Sequence, residues 1–139
     1  MALATTDEIL EDIEFFDDWE ERYKYIIDLG KDLPVMDSAL QTPERLVKGC
    51  QSNVWLDVDM NSQQELLFVV DSDAIIVKGL LALVMAAFYG KTAKDVLAFD
   101  IDAYFIQLDL ARHLSPTRGN GLKAIVAKIQ AIAKSSIIE

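Results

Sequence analysis

Side chains able to act as nucleophile or metal ligand through sulfur or imidazole are scarce: one cysteine, Cys50, and one histidine, His113, in 139 residues. Free cysteines are among the most buried residue types and commonly behave as small inert hydrophobes. The neighbours of Cys50 favour another role, because Lys48, Gly49, Gln51, Ser52 and Asn53 make a poor setting for a core side chain and a good one for a hairpin tip. Gly49 lets the backbone take a positive φ, N–H groups around a tight turn can point at an anionic sulfur, and Lys48 adds a positive charge. Each of these favours thiolate over thiol.

A lone thiolate narrows the chemistry. A dithiol oxidoreductase needs a resolving cysteine, an iron–sulfur scaffold needs about three or four thiolate or imidazole ligands, and a Cys/His zinc site needs about four. A papain-like hydrolase would need His113 as its base, but a helix C-terminus, where the macrodipole favours a histidine, is the better account of that residue. A covalent sulfur carrier needs one nucleophilic sulfur only. Its thiolate attacks a donor persulfide, displaces the donor thiolate and keeps the terminal sulfur, by analogy with thiol–disulfide exchange.

Composition agrees with this short inventory. The chain is 52% hydrophobic and 26% charged, and a chain of this length buries roughly 70% of its unfolded surface, enough for one domain. Thirteen basic against twenty-three acidic residues leave a net charge of −10, which opposes approach to a phosphate backbone and argues against nucleic acid as a partner. The N-terminal residues show no basic region followed by an apolar stretch, so no secretory signal is expected. The greasiest run, residues 79–90, is roughly half of the ~20 apolar residues that a membrane crossing requires. The expectation is a cytoplasmic protein with no membrane association. Charge is lopsided, with ten acidic and two basic residues over residues 7–28, and five basic residues from position 111 onward with only Glu139 against them.

The elements that must hold Cys50 follow from periodicity. Thr5 with Glu8 forms a capping-box pattern ahead of Ile9, Ile13 and Phe16. Asp18 with Glu21 opens a second helix bearing Trp19, Tyr23, Ile26 and Ile27, and Gly30 followed by Leu33-Pro34 supplies its stop. Pro34 and Pro43 mark residues 31–44 as a connection. Val54, Leu56, Val58 and Met60 alternate with Trp55, Asp57 and Asp59, which predicts a strand with one buried face, and a second strand follows over residues 66–70 after the turn Asn61-Ser62-Gln63-Gln64. A short strand at residues 45–48 would make residues 49–52 a hairpin tip and put Cys50 on a loop. Asp71-Ser72-Asp73 offer cap oxygens to a buried helix through residues 80–89. Thr92 to Asp95 cap a short helix, Tyr104, Phe105, Leu108 and Leu110 suggest another ending near His113, and Ser115-Pro116 opens the last. Its stripe of Leu122, Ile125, Val126, Ile129, Ile132 and Ala133 excludes Lys123, Lys128 and Lys134. The predicted class is α+β, a small antiparallel three-stranded sheet packed against about five or six helices in a single domain over residues 1–139.

Three separated motifs carry a resemblance. Gly49-Cys50-Gln51-Ser52-Asn53-Val54-Trp55, then Asp71-Ser72-Asp73-Ala74 with Ile76-Val77-Lys78-Gly79-Leu80, then Ser115-Pro116-Thr117-Arg118 with Gly121-Leu122 resemble the SufE family of sulfur-acceptor proteins. Trp19-Glu20-Glu21-Arg22-Tyr23 and Leu29-Gly30-Lys31-Asp32-Leu33-Pro34 fit as well, so the similarity spans roughly residues 8 to 134. The resemblance implies a SufE/IscU-like fold and a Cys50 that takes sulfane sulfur from the persulfide of a pyridoxal-phosphate cysteine desulfurase of the SufS type. It also implies stimulation of that enzyme and delivery to the SufBCD scaffold for iron–sulfur cluster assembly. The pyridoxal phosphate belongs to the partner, and this chain is expected to carry no cofactor and no metal of its own. The additional cysteines of the IscU scaffold are missing here, so the carrier role is the one implied. Gly119 stands where a serine is common in the family.

Alternatives remain at this level. A CsdE-type partner of a related desulfurase is close to the same pattern, although Gln51-Ser52-Asn53 after the cysteine favours SufE. A non-covalent adaptor that docks and activates a desulfurase is a reading of another class. Asp71 and Asp73 serve equally as partner-facing charges or as caps of the buried helix. Arg118, a cation in a first helical turn, opposes the macrodipole and so suggests a carboxylate or the sulfur loop as its partner, against a plain solvated arginine. Trp55 reads as core. Cys50 is expected to be partly shielded in the lone protein, and monomer and homodimer are both open.

Overall fold

Thr5 caps α1 (Thr6–Glu14) in the manner its spacing to Glu8 predicts: Oγ1 accepts from the Glu8 N–H at 3.1 Å, and the Glu8 carboxylate accepts from the Thr5 N–H at 2.9 Å. Asp18 caps α2 (Trp19–Lys31) through the Glu21 N–H at 2.8 Å. These contacts satisfy backbone donors that a helix start leaves without partners. The computed structural model describes residues 4–49 and 52–137, so Cys50 and Gln51 lie outside the described residues.

Strands β1 (Val54–Met60) and β2 (Glu65–Ser72) pair antiparallel in the register Val54 to Ser72 through Met60 to Leu66. The reversal between them is built by Asn61, whose side-chain oxygen accepts from the N–H groups of Gln63 and Glu65, both at 3.0 Å, with Gln64 in the left-handed region at φ 63°. Burial on β1 fades along its length: Val54 and Leu56 are buried, Val58 is half-buried and Met60 is exposed. Trp55 is half-buried on the other face, opposite Asp71, and is not one of the core side chains.

The sheet has three strands in the order β1-β2-β3, yet the third is not the predicted one. β3 (Lys91–Thr92) pairs with Glu65 and Leu66 on the far edge of β2. Residues 45–48 form no strand. Pro43 opens a 3₁₀ turn (Pro43–Arg45), leaving one bridge between Leu46 and Trp55 and one hydrogen bond from the Val47 N–H to the Val54 carbonyl at 2.8 Å. A proline-led turn uses up the residues that would have extended the ladder.

α3 (Ile75–Phe88) runs through the middle of the core, with Gly79 to Met85, Ala87 and Phe88 all buried. It packs against α2, β2 and α7 (Pro116–Ser136). Its N-cap is Ala74 and carries no side-chain cap, so neither aspartate of the Asp71-Ser72-Asp73 stretch caps it. Ser72 Oγ accepts from the Ala74 N–H at 3.2 Å instead, because Asp71 and Ser72 still belong to β2. The α2 helix ends at Lys31, where Gly30 and Leu33-Pro34 predict its stop, but Gly30 has a second role and no positive φ. It lies buried inside α2, where an added Cβ would come within 2.7 Å of the Gly79 backbone nitrogen. A Cβ on Gly79 would collide with the Ile26 carbonyl oxygen. The two glycines let the backbones of α2 and α3 touch.

The remaining helices close the other side. Thr92 caps α4 (Ala93–Ala98), accepting from the Asp95 N–H at 3.3 Å, and α4 packs on α7. The stretch predicted as one helix ending at His113 is two, α5 (Ile101–Gln107) and the single turn α6 (Leu110–His113). They divide at Asp109, whose φ of 58° a continuous right-handed helix does not admit. α5 is anchored by Tyr104, which donates its phenol hydrogen to the Leu83 carbonyl of α3 at 3.0 Å and meets Phe99 edge-on. The exposed lysines of α7 and its buried Leu122, Ile125, Val126, Ile129 and Ala133 sort as the periodicity predicts. The α+β class and the three-stranded antiparallel sheet are thus as expected, with six helices longer than one turn among the described residues. Among those residues no helix is long and apolar enough to cross a membrane.

Two outcomes follow from this packing. Gly79→Ala should destabilise by about 1–3 kcal/mol through overpacking against backbone that cannot yield. Gly119→Ala, where a Cβ meets nothing within 4 Å, should stabilise by about 0.5–1 kcal/mol. Urea midpoints moving in opposite directions would confirm the contrast, and a wild-type midpoint for Gly79→Ala would remove the close-crossing argument. The second concerns alkaline pH. Burial, with a lesser effect of Tyr25, pushes the Tyr104 phenol up; burial, then the hydrogen bond to Asp12 and the charges of Asp12 and Glu8, push Tyr25 up. The folded chain therefore holds protons that the unfolded chain releases near pH ~10, so the stability they contribute is complete below that pH and declines above it. Urea midpoints between about pH 8 and 11 should fall, less steeply in Tyr104→Phe, and identical slopes would contradict the assignment.

Candidate functional site

The segment bearing the single thiol is held at both ends by different elements. On its N-terminal side, the Val47 N–H bonds to the Val54 carbonyl, and Gly49 adopts φ 94°. A Cβ on Gly49 would stand 3.3 Å from Ala124 Cβ, so the chain at this point lies against α7. On its C-terminal side, the Asn53 N–H donates to Asp73 Oδ1 at 3.2 Å and the Asp73 N–H donates back to the Asn53 carbonyl at 3.4 Å. This reciprocal pair fastens the end of the segment to the β2–α3 connection. Lys48 and Gly49 are exposed and Ser52 is half-buried.

The strand on which the hairpin-tip expectation depended is not formed, and the Val47–Val54 hydrogen bond with the single Leu46–Trp55 bridge joins the chain on the two sides of residues 48–53. The positions of Cys50 and Gln51 within that span fall outside the described residues. Both φ and the nearness of α7 explain Gly49: a side chain there would be strained and crowded. Ala124 is half-buried at the point of contact, and Gly121, one turn earlier, is buried. These small residues admit the segment, and sequence reading passes over Ala124 because a small residue at helical spacing has no chemistry of its own.

Beside the segment opens a pocket of about 120 Å³ between the start of β1, α3 and the first turns of α7. Val54, Leu80 and Ile125 give it apolar walls, while Ser52, Thr117 and Arg118 bring polar groups to it. Ser115 caps α7, accepting from the Arg118 N–H at 3.2 Å. Arg118 is exposed, and its guanidinium has no carboxylate within ion-pair distance among the described residues. Ser52 and Arg118, far apart in the chain, thus share one cavity.

The two aspartates of the middle motif have separate tasks. Asp73 holds the segment, as above. Asp71 accepts from Gln41 Nε2 at 2.9 Å and lies 3.5 Å from Lys78 Nζ, linking the connection before β1 to α3. Gln41 gives no signal in the sequence because it lies in an irregular stretch with no period. His113 is engaged elsewhere: its ring stacks on Trp19 with centroids 4.0 Å apart, Nε2 lies 3.5 Å from Asp109 Oδ2, and its carbonyl accepts from the Tyr23 hydroxyl at 2.6 Å. It ties α6 to α2. Among the described residues no group of three or more His, Cys, Asp or Glu side chains could hold a metal ion.

Comparison with known proteins agrees with this geometry. A family model described as SufE, Fe-S metabolism associated domain, matches residues 7–133. An uncharacterized SufE-like protein of Rhizobium etli is 43% identical over 137 residues, covering 96% of this chain and 93% of that one. A second, from Rhizobium meliloti, is 40% identical over 138 residues, covering 97% and 99%. A solution structure of a hypothetical protein from Thermus thermophilus superposes with a TM-score of 0.76 over 98% of each chain at 18% identity, a likeness of fold alone. With its motifs in order, its segment held between the β2–α3 connection and α7, and a family match over most of its length, the chain belongs to the SufE family.

Proposed function

We propose that the protein is a sulfur carrier that accepts sulfane sulfur on Cys50 from a SufS-type cysteine desulfurase, stimulates that enzyme and passes the sulfur to the SufBCD scaffold. The observation that supports it most is the coincidence of family with inventory: a SufE-family chain whose only thiol lies in a segment fastened at both ends. The pyridoxal phosphate is assigned to the desulfurase. Persistence of a free thiol suits the cytoplasm.

In the accepting step, the Cys50 thiolate attacks the terminal sulfur of the donor's cysteine persulfide. A bond forms between Cys50 Sγ and that sulfur, the bond between the two donor sulfurs breaks, and the donor cysteine leaves as thiolate with the electron pair. The proton on the terminal sulfur stays with it, and no external oxidant or reductant enters. Delivery is the same exchange with Cys50 as the leaving group. Two features of the site suit a negatively charged sulfur: the N-terminal end of α7, where the macrodipole is positive, and Arg118 on the neighbouring pocket. Lys48 adds a further cation next to Gly49. In this reading Ser52 and Arg118 are contacts of the loaded loop or of the partner.

Incubation with a cysteine desulfurase and cysteine should add one sulfur to the intact protein by mass spectrometry, and Cys50→Ala should add none; an equal adduct on that variant would sink the carrier reading. Desulfurase stimulation that persisted undiminished in Cys50→Ser would favour the non-covalent adaptor. Loss of the Asp73 tether should free one end of the segment, so Asp73→Ala should raise the rate of Cys50 alkylation by iodoacetamide several-fold. The rate in Asp71→Asn should stay near wild type, because Asp71 bonds to Gln41 and Lys78. Equal rates in all three proteins would show that the tether does not control access.

A further inference from the structure

A second concavity adjoins the same segment. It is a groove of about 540 Å³ between residues 43–48 and α7, bounded by Pro43, Glu44, Leu46, Lys48 and Lys128. Lys48 immediately precedes Gly49, and Lys128 lies one helical turn beyond Ala124, the residue Gly49 rests against. Two exposed ammonium groups thus flank one groove, and among the described residues neither has a carboxylate within ion-pair distance. Glu44 is the one acid on the groove, against two lysines.

Unpaired lysines are common on protein surfaces, and here the context is what matters. The chain carries twenty-three carboxylates and a net charge of −10, so chance alone would tend to place acids around any basic side chain. The groove is instead locally positive, and it carries apolar surface as well: Pro43 is exposed and Leu46 is 36% exposed. A nucleic acid would meet the repulsion of the whole molecule. A short acidic stretch of a protein meets only the local field, and complementary charge at a rim chiefly sets encounter rate and register.

We infer that this groove is the docking site for an acidic segment of the protein that donates sulfur to Cys50, with one carboxylate between Lys48 and Lys128 and an apolar side chain on Leu46 and Pro43. The inference rests on the carrier reading for the identity of that partner. Docking there would place the partner's chain against the residues that precede the thiol, on the α7 face that supports Gly49.

Binding of a purified SufS-type desulfurase tests it. Lys128→Glu should raise Kd by about tenfold or more at low salt, with the difference shrinking as ionic strength rises. Lys128→Arg, and Lys134→Glu near the far end of the same helix, should stay within about twofold of wild type. Unchanged urea midpoints would show that the variants are folded, and Lys128→Gln should fall between wild type and Lys128→Glu. Wild-type affinity for Lys128→Glu would overturn the inference, as would an equal loss in Lys134→Glu, which would mean that net charge and not the groove is sensed. Lys128-dependent binding of a fluorescent single-stranded RNA oligomer would overturn it too. The carrier reading fails separately: a wild-type protein that binds the desulfurase through Lys128 yet never gains sulfur would remove that reading and support the groove.

Discussion

Helices α2 and α3 cross with their backbones in contact, and most of the architecture is arranged around that contact. Neither Gly30 nor Gly79 has room for a single added carbon, since the nearest atoms opposite are main-chain atoms of the other helix. Such an approach brings Ile26, fully buried, onto α3 and permits the apolar length of α3 to be enclosed by α2, the sheet and α7 together. Each large aliphatic side chain buried in this way contributes roughly 1.5–3 kcal/mol. The buried part of α3 begins at Gly79, and Asp73 meets Asn53 just ahead of its first turn. The Asn53 end of the segment is therefore fastened next to the buried core.

The segment itself is built from the opposite principle. Residues 48–53 are joined to their surroundings at Val47–Val54, at Gly49 against Ala124, and at Asn53–Asp73. The cations near this span, Lys48, Arg118 and Lys128, have no carboxylate partner among the described residues of an acidic molecule, whereas Asp71 and Lys78 are used internally to brace the frame. Lys78 is thus paired with Asp71 within the chain, and the three cations around the segment are not paired with a carboxylate among the described residues.

Local signals read well from the sequence where the physics is local. The Thr5–Glu8 capping box, the Asp18, Thr92 and Ser115 caps and the stripe along α7 each depend on residues within a few turns, and they stand as expected. Errors arise where a residue type has a common local use and a less common tertiary one. Gly30 reads only as part of a helix stop and is also a crossing point; Asp71 and Asp73, which read equally as caps or partner-facing charges, are a brace and a tether. Trp55 reads as core because it is large and apolar, but it falls on the half-covered face of a strand that is buried on the other. The third strand is misplaced for a related reason, because two residues at 91–92 carry no period that a sequence could reveal.

What this chain's sequence determined unaided was its chemistry: one thiol, no second cysteine, an excess of acid, and family motifs in order around Cys50. Covalent composition does not depend on folding, so those limits could be drawn before any coordinates. Only the tertiary structure decided which distant residues stand beside the segment: Asp73 against Asn53, Ala124 beneath Gly49, Arg118 with Ser52, and Lys128 across from Lys48. Those pairings come from α3 and α7 packing into a common core, and a contact between elements far apart in the chain leaves no trace in the periodicity of either one.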